Sequence, residues 1–387
     1  MNKDLKKILI FFTIWRSSLF LIAFFAVLFI PVFGGMFPYA DKVLIPTYLP
    51  SWIWGFGNFD GVHYIKIAEE GYKAQFTQAF FPLFPLVISI LGYGLTTFFN
   101  FYLAFFIAGI LVANISFVLS LYFLFKLFNL DYNRELSIKS IYLLIAFPTA
   151  FYFSSIYTEA TFLLFIVLSL LFMRKKNFLT SGIFISLASA TKVIGFLLIP
   201  TLLWEIYLTY KNDGLKESNK LIKAVIGLII APMGMLSYMY YLKISFGSPF
   251  YFITSQPAFG TERSIDRLVL LPQIFFRYLK IFITTPINSG VFFNALLEFS
   301  FSVFILTLLI IFMRRMRLSY WFFTALNFIL PTLTGTLLSM PRFVLMSFLI
   351  FPLVVEKLGK HYITLVIFFL ILQIILFTLF IRGYWIA

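Results

Sequence analysis

The chain contains no cysteine and only two histidines among its 387 residues. The absence of cysteine excludes disulfide bonds, thiol catalysis and cysteine metal sites. Two histidines leave little scope for a histidine-rich metal centre. Charged residues are also scarce, at 12%, whereas hydrophobic residues make up 61% and aromatic residues 21% of the chain. Most of a chain of this composition cannot stay soluble as one globular domain, and we interpret it as an all-α polytopic membrane protein.

Acidic residues number 15 against 30 Lys and Arg, which gives a net charge of +15. Such a charge can indicate a nucleic-acid partner, but the basic residues here form short clusters between apolar runs instead of one continuous stripe. Clusters of this kind are typical of the positive-inside rule, under which Lys and Arg accumulate in cytoplasmic loops. We therefore predict membrane lipids, and no nucleic acid, as partners.

The N-terminus has the charge order of a signal peptide, because MNKDLKK precedes an apolar segment at residues 8–30. That segment is too long for a cleaved signal, and no small-residue cleavage site clearly follows it, so we predict an uncleaved signal anchor. Lys3, Lys6 and Lys7 then place the N-terminus in the cytoplasm. The loop that follows, about residues 34–80, lies on the outer face of the cell membrane.

Basic clusters also determine the number of later crossings. We place residues 174–176 and the polar loop between 126 and 139 in the cytoplasm, so the segment between them is a hairpin with an outer tip. Continued along a single domain of residues 1–387, this parity predicts about eleven spans of ~20 residues and an outer C-terminus. It also predicts a second large outer loop at about 246–290. The basic residues of that loop are Arg263, Arg267, Arg277 and Lys280.

Residues 82–97, bracketed by two prolines and two glycines, have two interpretations in this topology. Parity favours an interfacial or re-entrant helix on the outer side. If they instead cross the membrane fully, the loop at 129–137 lies outside. A crossing of residues 101–126 is required in either case.

One stretch of the first outer loop, residues 52–85, gathers a carboxylate, a histidine, aromatic residues and turn residues beside an apolar segment. If Asn58 caps a short helix, Asp60 lies in its first turn, and Gly71 is a plausible end. One face of this helix is formed by His63, Tyr64 and Ile67, and the opposite, water-exposed face by Lys66, Glu69, Glu70 and Lys73. This pattern predicts a helix along the membrane surface, and we interpret the stretch as an active-site loop.

Four charged residues close to membrane spans, Asp60, Glu159, Lys192 and Arg342, all fall on the outer side in this topology. A charge near a membrane span is costly, so it is usually paired, exposed to water or functional. Each also has a structural explanation. Asp60 and Glu159 can stabilise helix starts, Lys192 can extend to the interface, and Arg342 can cap a turn or pair with Glu159. Their common side favours one shared functional site.

The run NFDGVHYIKIAEEGY followed by AFFPLFP resembles the signature of the GPI mannosyltransferase 2 family and its prokaryotic relatives, within the C-type glycosyltransferase (GT-C) superfamily. Three further stretches agree in order: FPTAFYFSSIYTEATFLL, ASATKVIGFLLIP, and SMPRFVLMSFLIFPL with the closing RGYWIA. Together they span nearly the whole chain. One position departs from the family, which usually has Trp before the loop aspartate where this chain has Phe59.

The resemblance implies a GT-C-like membrane enzyme that takes a sugar, typically mannose, from a polyprenyl-phosphate carrier. It implies transfer to an acceptor hydroxyl on the non-cytoplasmic face with inversion at the anomeric carbon, and Asp60 as the general base. An aspartate at a helix N-terminus has its charged form favoured, which is compatible with that role. Arg342 and Lys192 are candidates to hold the lipid phosphate, Arg342 by bidentate contact.

Other residues of the candidate site are less specific. Tyr72, with Trp52 and Trp54, is suited to stacking on sugar faces, and we include His63 and Glu159 as further donor- or acceptor-binding candidates, although a histidine on an apolar face is more often structural. The loop contains no paired-aspartate motif, so we predict neither a metal nor another cofactor. The acceptor is a glycolipid, a glycan or a protein.

A polytopic transporter or lipid flippase is the alternative, because it too would carry a few charges near span ends. The absence of a detectable internal repeat and the clustering of all four charges on one side argue against it. A membrane scaffold without chemistry is a third interpretation, and it makes no prediction for Asp60.

Overall fold

The computed structural model describes residues 3–35, 37–213, 218–259 and 268–386. Within these ranges every regular element is a helix, which confirms the predicted all-α class. Arg263 and Arg267, predicted as basic residues of the second outer loop, lie outside the described residues. The description of the chain as one domain stays a prediction.

The helices of the first half are α1 (Lys3–Phe29), α2 (Ala40–Val43), α3 (Ser51–Trp54), α4 (Asp60–Glu70), α5 (Leu83–Leu95), α6 (Phe101–Phe128), α7 (Arg134–Ala146), α8 (Glu159–Arg174) and α9 (Phe178–Thr191). Those of the second half are α10 (Leu198–Asp213), α11 (Ser218–Ile230), α12 (Met233–Phe246), α13 (Tyr251–Thr254), α14 (Leu271–Thr284), α15 (Gly290–Phe312), α16 (Leu318–Thr332), α17 (Met340–Phe343), α18 (Phe351–Leu358) and α19 (Tyr362–Ile381). Short 3-10 helices join several of them, at Ile45–Thr47, Gly55–Gly57, Thr77–Ala79, Ala150–Ser154, Val193–Leu197, Gln256–Phe259, Val344–Ile350 and Gly359–His361.

Local sequence explains several helix ends. The Asn100 and Asn133 side chains accept hydrogen bonds from the Leu103 and Leu136 backbone N–H groups, both at 2.9 Å, so each asparagine caps the start of its helix. Gly247 ends α12 in the left-handed region at φ 81°, where a residue without Cβ is favoured. These signals depend only on neighbouring residues.

Six helical stretches among the described residues are long and apolar enough to cross a membrane, by length and composition. They are Asp4–Phe29, Phe101–Phe128, Val193–Asn212, Asn219–Phe246, Gly290–Phe312 and Met340–Ile381. The predicted count of about eleven is not confirmed. The parity argument treated apolar regions as continuous spans, but 3-10 segments such as Ala150–Ser154 and Val344–Ile350 interrupt them. Hydropathy reports how apolar a segment is and not whether its backbone continues as one helix.

The segment with two interpretations, residues 82–97, contains the 13-residue helix α5. At ~1.5 Å per residue this helix is roughly 20 Å long, shorter than the ~30 Å hydrocarbon core. It packs against α6, where a Cβ on Gly92 would lie 2.9 Å from the Phe105 ring. Its length favours the interfacial or re-entrant interpretation, which stays a prediction.

Buried polar side chains tie the ends of the chain to its centre. Gln373 in α19 accepts a hydrogen bond from Trp15 Nε1 in α1 at 2.8 Å. Its amide nitrogen donates to the backbone oxygens of Ile145 and Phe147 at 3.0 and 2.7 Å, just where α7 ends. This one side chain thereby joins three helices within the apolar core, and its amide hydrogen-bonding groups are used.

Ion pairs between different segments of the described chain fall into two groups. One group joins Arg134 with Asp4, Arg174 with Asp131 and Arg317 with Glu205, all of which lie in or near segments predicted to be cytoplasmic. The other group joins Arg342 with Asp60 and Glu159, and Lys192 with Glu159. Helix α8 connects the two groups, because it begins at Glu159 and ends at Arg174. At ~1.5 Å per residue the two ends of α8 are roughly 20 Å apart. The charges therefore gather at two separate levels of the protein, while the orientation of the chain in the membrane stays a prediction.

Candidate functional site

Four charged side chains meet at one place in the fold. Arg342 Nη1 lies 2.5 Å from Asp60 Oδ2, and Arg342 Nε lies 3.4 Å from Glu159 Oε1. Lys192 Nζ approaches the same Glu159 oxygen to 2.5 Å. The structure thus brings together the four charged residues that the sequence predicted to share one site, although Asp60 and Arg342 are separated by 282 positions in the chain. We refer to these four residues as the charged cluster.

Helix ends place the members of the charged cluster. Asp60 is the first residue of α4 and Glu159 the first residue of α8, whereas Lys192 directly follows α9. Helix N-termini carry partial positive charge and C-termini partial negative charge, so carboxylates are favoured at the former and cations at the latter. Each of these three side chains therefore has the sign that its helix end stabilises.

The start of α4 differs from the prediction that Asn58 caps it. The helix begins at Asp60 with Phe59 in the capping position, and the Asn58 side-chain nitrogen donates to the backbone oxygens of Phe380 and Ile381 at 2.8 and 3.2 Å. The amide is therefore used to join this loop to the end of α19. A helical pattern cannot reveal that partner, because it lies more than 300 positions away.

Phe59 has a strained backbone directly before Asp60. Its φ of 57° and ψ of −115° lie in a region that residues with a Cβ rarely adopt. The ring packs 4.9 Å from Phe37 and 5.1 Å from Trp385, measured between ring centroids, and the Tyr157 hydroxyl donates to the Asn58 oxygen at 2.9 Å. Contacts from distant parts of the chain thus hold the conformation that directs Asp60 into the cluster.

Arg342 lies in the four-residue helix α17, whose backbone is anchored on both sides. Thr149 Oγ1 donates to the Pro341 oxygen at 2.6 Å, and Asn327 Nδ2 donates to the Phe343 oxygen at 3.2 Å. The Arg342 side chain is only 10% exposed. Its guanidinium is consequently presented to the carboxylates by a rigid and buried support.

Two tyrosines complete the wall of the charged cluster, and sequence reasoning did not single them out. The Tyr152 and Tyr157 ring centroids lie 5.7 and 5.5 Å from the Arg342 guanidinium carbon. Both rings are buried and belong to the same stretch as Glu159, FPTAFYFSSIYTEATFLL. The density of aromatic and hydroxyl residues beside that glutamate is the sequence signal by which they could have been found.

Several polar atoms in and beside the charged cluster have no hydrogen-bond partner among the described residues. They are Arg342 Nε, Glu159 Oε2 and His63 Nδ1. Buried polar atoms are normally hydrogen-bonded, and an exception calls for an explanation such as a ligand, an ion or a catalytic role. The cluster therefore has donor and acceptor groups available for a polar ligand.

His63 is enclosed by aromatic rings. Its ring stacks on Phe80 at 5.1 Å between centroids and meets the edges of Tyr39 and Phe259 at 5.9 and 5.0 Å. Burial lowers the pKa of His63, and the nearby Asp60 carboxylate opposes that change. The imidazole is therefore neutral at neutral pH, and its position one turn after Asp60 puts it beside the charged cluster.

Glu69 contradicts the prediction that its face of α4 is in water. Its side chain is buried because α5 packs against α4, and Tyr93 from α5 donates to the Glu69 backbone oxygen at 3.0 Å. Burial raises the pKa of Glu69 to about 7, opposed by Lys66. Glu70 remains exposed and pairs with Lys66 at 2.7 Å, as the helical pattern predicts. Gly71, at φ 71°, ends the helix as expected.

The aromatic residues proposed to stack on sugars have other neighbours in the structure. The Tyr72 hydroxyl donates to the Phe80 oxygen at 2.8 Å, its ring lies 5.6 Å from that of Tyr238, and burial raises its pKa. The rings in contact with Trp52 and Trp54 are those of Phe24 and Phe33, both at 5.7 Å. The structure therefore does not bring these three residues into contact with the charged cluster.

No group of three or more His, Asp or Glu residues that could hold a metal ion occurs in the described ranges. The two carboxylates of the charged cluster both face cations, Asp60 toward Arg342 and Glu159 toward Lys192. This arrangement is suited to an anionic or hydroxyl-bearing ligand more than to a metal.

No family model and no curated protein sequence matches the chain. Among solved structures, the oligosaccharyltransferase of Archaeoglobus fulgidus in its apo form is similar at a TM-score of 0.46 and 14% identity, over 96% of this chain and 56% of that one. The same enzyme with a tethered acceptor peptide is similar at a TM-score of 0.46 and 14% identity, over 96% of this chain and 55% of that one. Its complex with an inhibitory peptide and a dolichol-phosphate is similar at a TM-score of 0.45 and 12% identity, over 96% of this chain and 56% of that one. The chain spans little more than half the length of these structures, and similarity at this level assigns neither a family nor an activity.

Proposed function

We propose that the protein is an inverting glycosyltransferase of the GT-C type, related to the GPI mannosyltransferase 2 family. It moves a sugar, by that resemblance mannose, from a polyprenyl-phosphate donor to an acceptor hydroxyl. The observation that carries the proposal is the charged cluster, in which Asp60 at a helix start contacts Arg342, and Glu159 contacts both Arg342 and Lys192. The three stretches that supply Glu159, Lys192 and Arg342 are those that resemble the family.

In this proposal Asp60 acts as the general base. The acceptor oxygen attacks the anomeric carbon, the bond from that carbon to the phosphate oxygen breaks with its electron pair, and the acceptor proton passes to the Asp60 carboxylate. The strained Phe59 backbone and the helix start keep this carboxylate at a defined position. No metal or other cofactor is part of the proposal.

Arg342 and Lys192 hold the leaving phosphate. A guanidinium has five N–H donors, so its contact with Asp60 leaves donors for phosphate oxygens. Charge-assisted hydrogen bonds from both cations stabilise the negative charge that develops on the departing group. Glu159 positions the two cations, because its Oε1 atom lies within 3.4 Å of both.

The experiment supplies purified protein in vesicles with a radiolabelled polyprenyl-phosphate mannose and membrane extracts as the source of acceptor. We expect label to appear in a product with a new glycosidic bond, and Asp60→Asn to abolish it. Glu70→Gln is the matched control, because Glu70 is an exposed carboxylate of the same helix. Movement of intact labelled donor across the vesicle membrane without a new glycosidic bond would instead identify a flippase or transporter.

The same proposal places the charged cluster and the C-terminus outside the cell and the N-terminus in the cytoplasm. The native chain has no cysteine, so single cysteines report topology without interference. We expect Tyr48→Cys, at an 88% exposed position, to react with an impermeant thiol reagent from outside. Asn177→Cys and Asn212→Cys, also at exposed positions, should react only after the membrane is opened. Labelling of position 177 in intact cells would contradict the orientation.

A further inference from the structure

A second arginine, Arg16, lies in the middle of α1, which is a candidate membrane span. Its side chain is buried, with 9% of the residue exposed, and neither Nη1 nor Nη2 has a hydrogen-bond partner among the described residues. A charge in the interior of a span normally pairs with an opposite charge or with polar groups. The immediate surroundings of Arg16 in the described chain therefore leave its hydrogen-bonding groups unused.

Aromatic rings supply part of the stabilisation. The guanidinium carbon lies 4.3 Å from the centroid of Phe20 and 4.2 Å from that of Phe56. Ring faces attract a cation, but they are much weaker acceptors of N–H hydrogen bonds than oxygen atoms are. The donors of Arg16 are arranged in a planar fork that matches the oxygens of a phosphate or carboxylate.

Arg16 borders a cavity of about 310 Å³. The other lining side chains are apolar and come from α1, from the segment before Asp60 and from the first third of α6. They include Phe20, Leu49, Ile53, Phe56, Phe106 and Ile107. Leu111, also in the lining, is 41% exposed, so the cavity reaches the outer surface of the helices. We call it the Arg16 groove.

The segment before Asp60 reaches the level of this span. Its short helix α3 has only four residues and packs against α1. A long arginine side chain can extend several ångströms toward a polar group at that boundary. An anionic head and an apolar chain can therefore be accommodated in the same groove.

We propose that the Arg16 groove binds one anionic phospholipid of the membrane, with its phosphate on the guanidinium and a hydrocarbon chain along α6. The apolar wall of the groove suits the hydrocarbon chain, and the guanidinium, which lies between Phe20 and Phe56 at the edge of the groove, extends from there to the phosphate. This lipid is distinct from the proposed sugar donor, because neither Arg342 nor Lys192 lines the groove. The inference therefore does not depend on the proposed function.

A bound lipid would also support the loop that leads to the charged cluster. Phe56, which touches Arg16, accepts a hydrogen bond at its backbone oxygen from Ile156 N at 2.9 Å. Phe56 is four residues before Asp60, and Ile156 is three residues before Glu159. A lipid in the groove would thus stabilise the two chain segments that position Asp60 and Glu159.

Native mass spectrometry of the delipidated full-length protein tests the proposal. The probes are phosphatidylglycerol, phosphatidylcholine with the same chains, and glycerol phosphate. We expect wild type to bind one phosphatidylglycerol about tenfold more tightly than phosphatidylcholine, the scale of one or two charge-assisted hydrogen bonds. Arg16→Met keeps an unbranched apolar side chain but removes the guanidinium, and it should abolish this preference. Ile107→Trp, which fills the groove while keeping Arg16, should weaken the binding of both lipids.

Lys126→Met is the matched control. Lys126 also places a cation over a ring, 4.2 Å from the Tyr122 centroid, but it lies at the exposed end of α6 and does not line the groove. Its substitution should leave the lipid preference unchanged. A preference retained in Arg16→Met, or an affinity for both lipids that is unaffected by Ile107→Trp, overturns the proposal, and so does equally tight binding of glycerol phosphate. If Arg16→Met does not elute as a folded monodisperse species, the lipid affinities of Ile107→Trp decide whether the proposal holds.

Discussion

Arg342 and Arg16 are both buried guanidinium groups, but they have opposite surroundings. Arg342 follows a break between helices and contacts two carboxylates, whereas Arg16 lies within a continuous helix and contacts two rings. The difference shows where this chain can pair a charge internally. Helix ends bring backbone dipoles and carboxylates to one place, while a helix interior has no free backbone groups to offer.

The two arginines should also differ in how much the stability of the fold depends on them. The charged cluster has two carboxylates and two cations, so its charges balance when all four are ionised. Breaking a buried pair leaves the remaining charge without compensation, which typically costs ~3–5 kcal/mol. A ring contact contributes only about 0.5–2 kcal/mol. We therefore expect Arg342 to stabilise the protein without any lipid, and Arg16 to contribute to stability only when the lipid is bound.

The largest effect is expected at the carboxylate that Arg342 contacts. Asp60→Asn keeps the side-chain size but cannot take up a proton, and loss of a general base typically lowers the rate ~10²–10⁴-fold. This loss is measured from initial rates of sugar transfer, with wild type and variant compared at equal amounts of folded protein. Glu70→Gln should retain the wild-type rate. Wild-type transfer by Asp60→Asn would show that the base lies elsewhere.

The same substitution at the two arginines contrasts them directly. Arg342→Met leaves Asp60 without its cation, and we expect delipidated protein in detergent to lose ~3–5 kcal/mol of unfolding free energy. Arg16→Met removes an unpaired charge, so we expect a change of at most about 1 kcal/mol, since lost ring contacts and relieved burial offset each other.

Denaturant or thermal unfolding of both variants gives these values, and repeating it with phosphatidylglycerol gives the lipid dependence. Wild type should gain stability with lipid concentration, as binding to the folded state alone requires. Arg16→Met should not. Equal destabilisation of the two variants without lipid would mean that Arg16 is paired within the protein after all.

A smaller effect distinguishes charge from shape at Arg342. Arg342→Lys keeps a positive charge but loses the planar fork, so donor use should fall less than in Arg342→Ala. We expect the KM for the polyprenyl-phosphate sugar to rise about tenfold more in the alanine variant than in the lysine variant. Equal loss in both would assign the effect to bidentate geometry. No loss in either would leave Arg342 as a structural residue.

A pH-dependent effect concerns the buried carboxylate outside both arginine sites. The pKa of Glu69 is about 7 in the folded protein and ordinarily 4.5, so the folded state retains this proton over a range in which the unfolded state has lost it. Stability from this group is therefore complete below pH 4.5 and is lost as pH rises to 7. Glu69→Gln should gain stability relative to wild type across that range, with a constant difference above it. A difference independent of pH would place the Glu69 carboxylate in water.

Local patterns in the sequence were sufficient for the class of fold and for part of the site. Apolar composition predicts helices, Gly71 marks the end of α4, and the scarcity of charge makes Asp60, Glu159, Lys192 and Arg342 conspicuous. These inferences succeed because they depend on composition and on neighbours within one helical turn.

Tertiary structure decided what those patterns could not. The amide of Asn58 bonds to the end of α19 instead of capping its own helix, and α5 covers Glu69, which the helical pattern assigns to water. Breaks within apolar regions shorten the predicted spans and create the helix ends at which the charged cluster forms. Periodicity describes one helix at a time, whereas burial and pairing are set by which segments pack together across hundreds of residues.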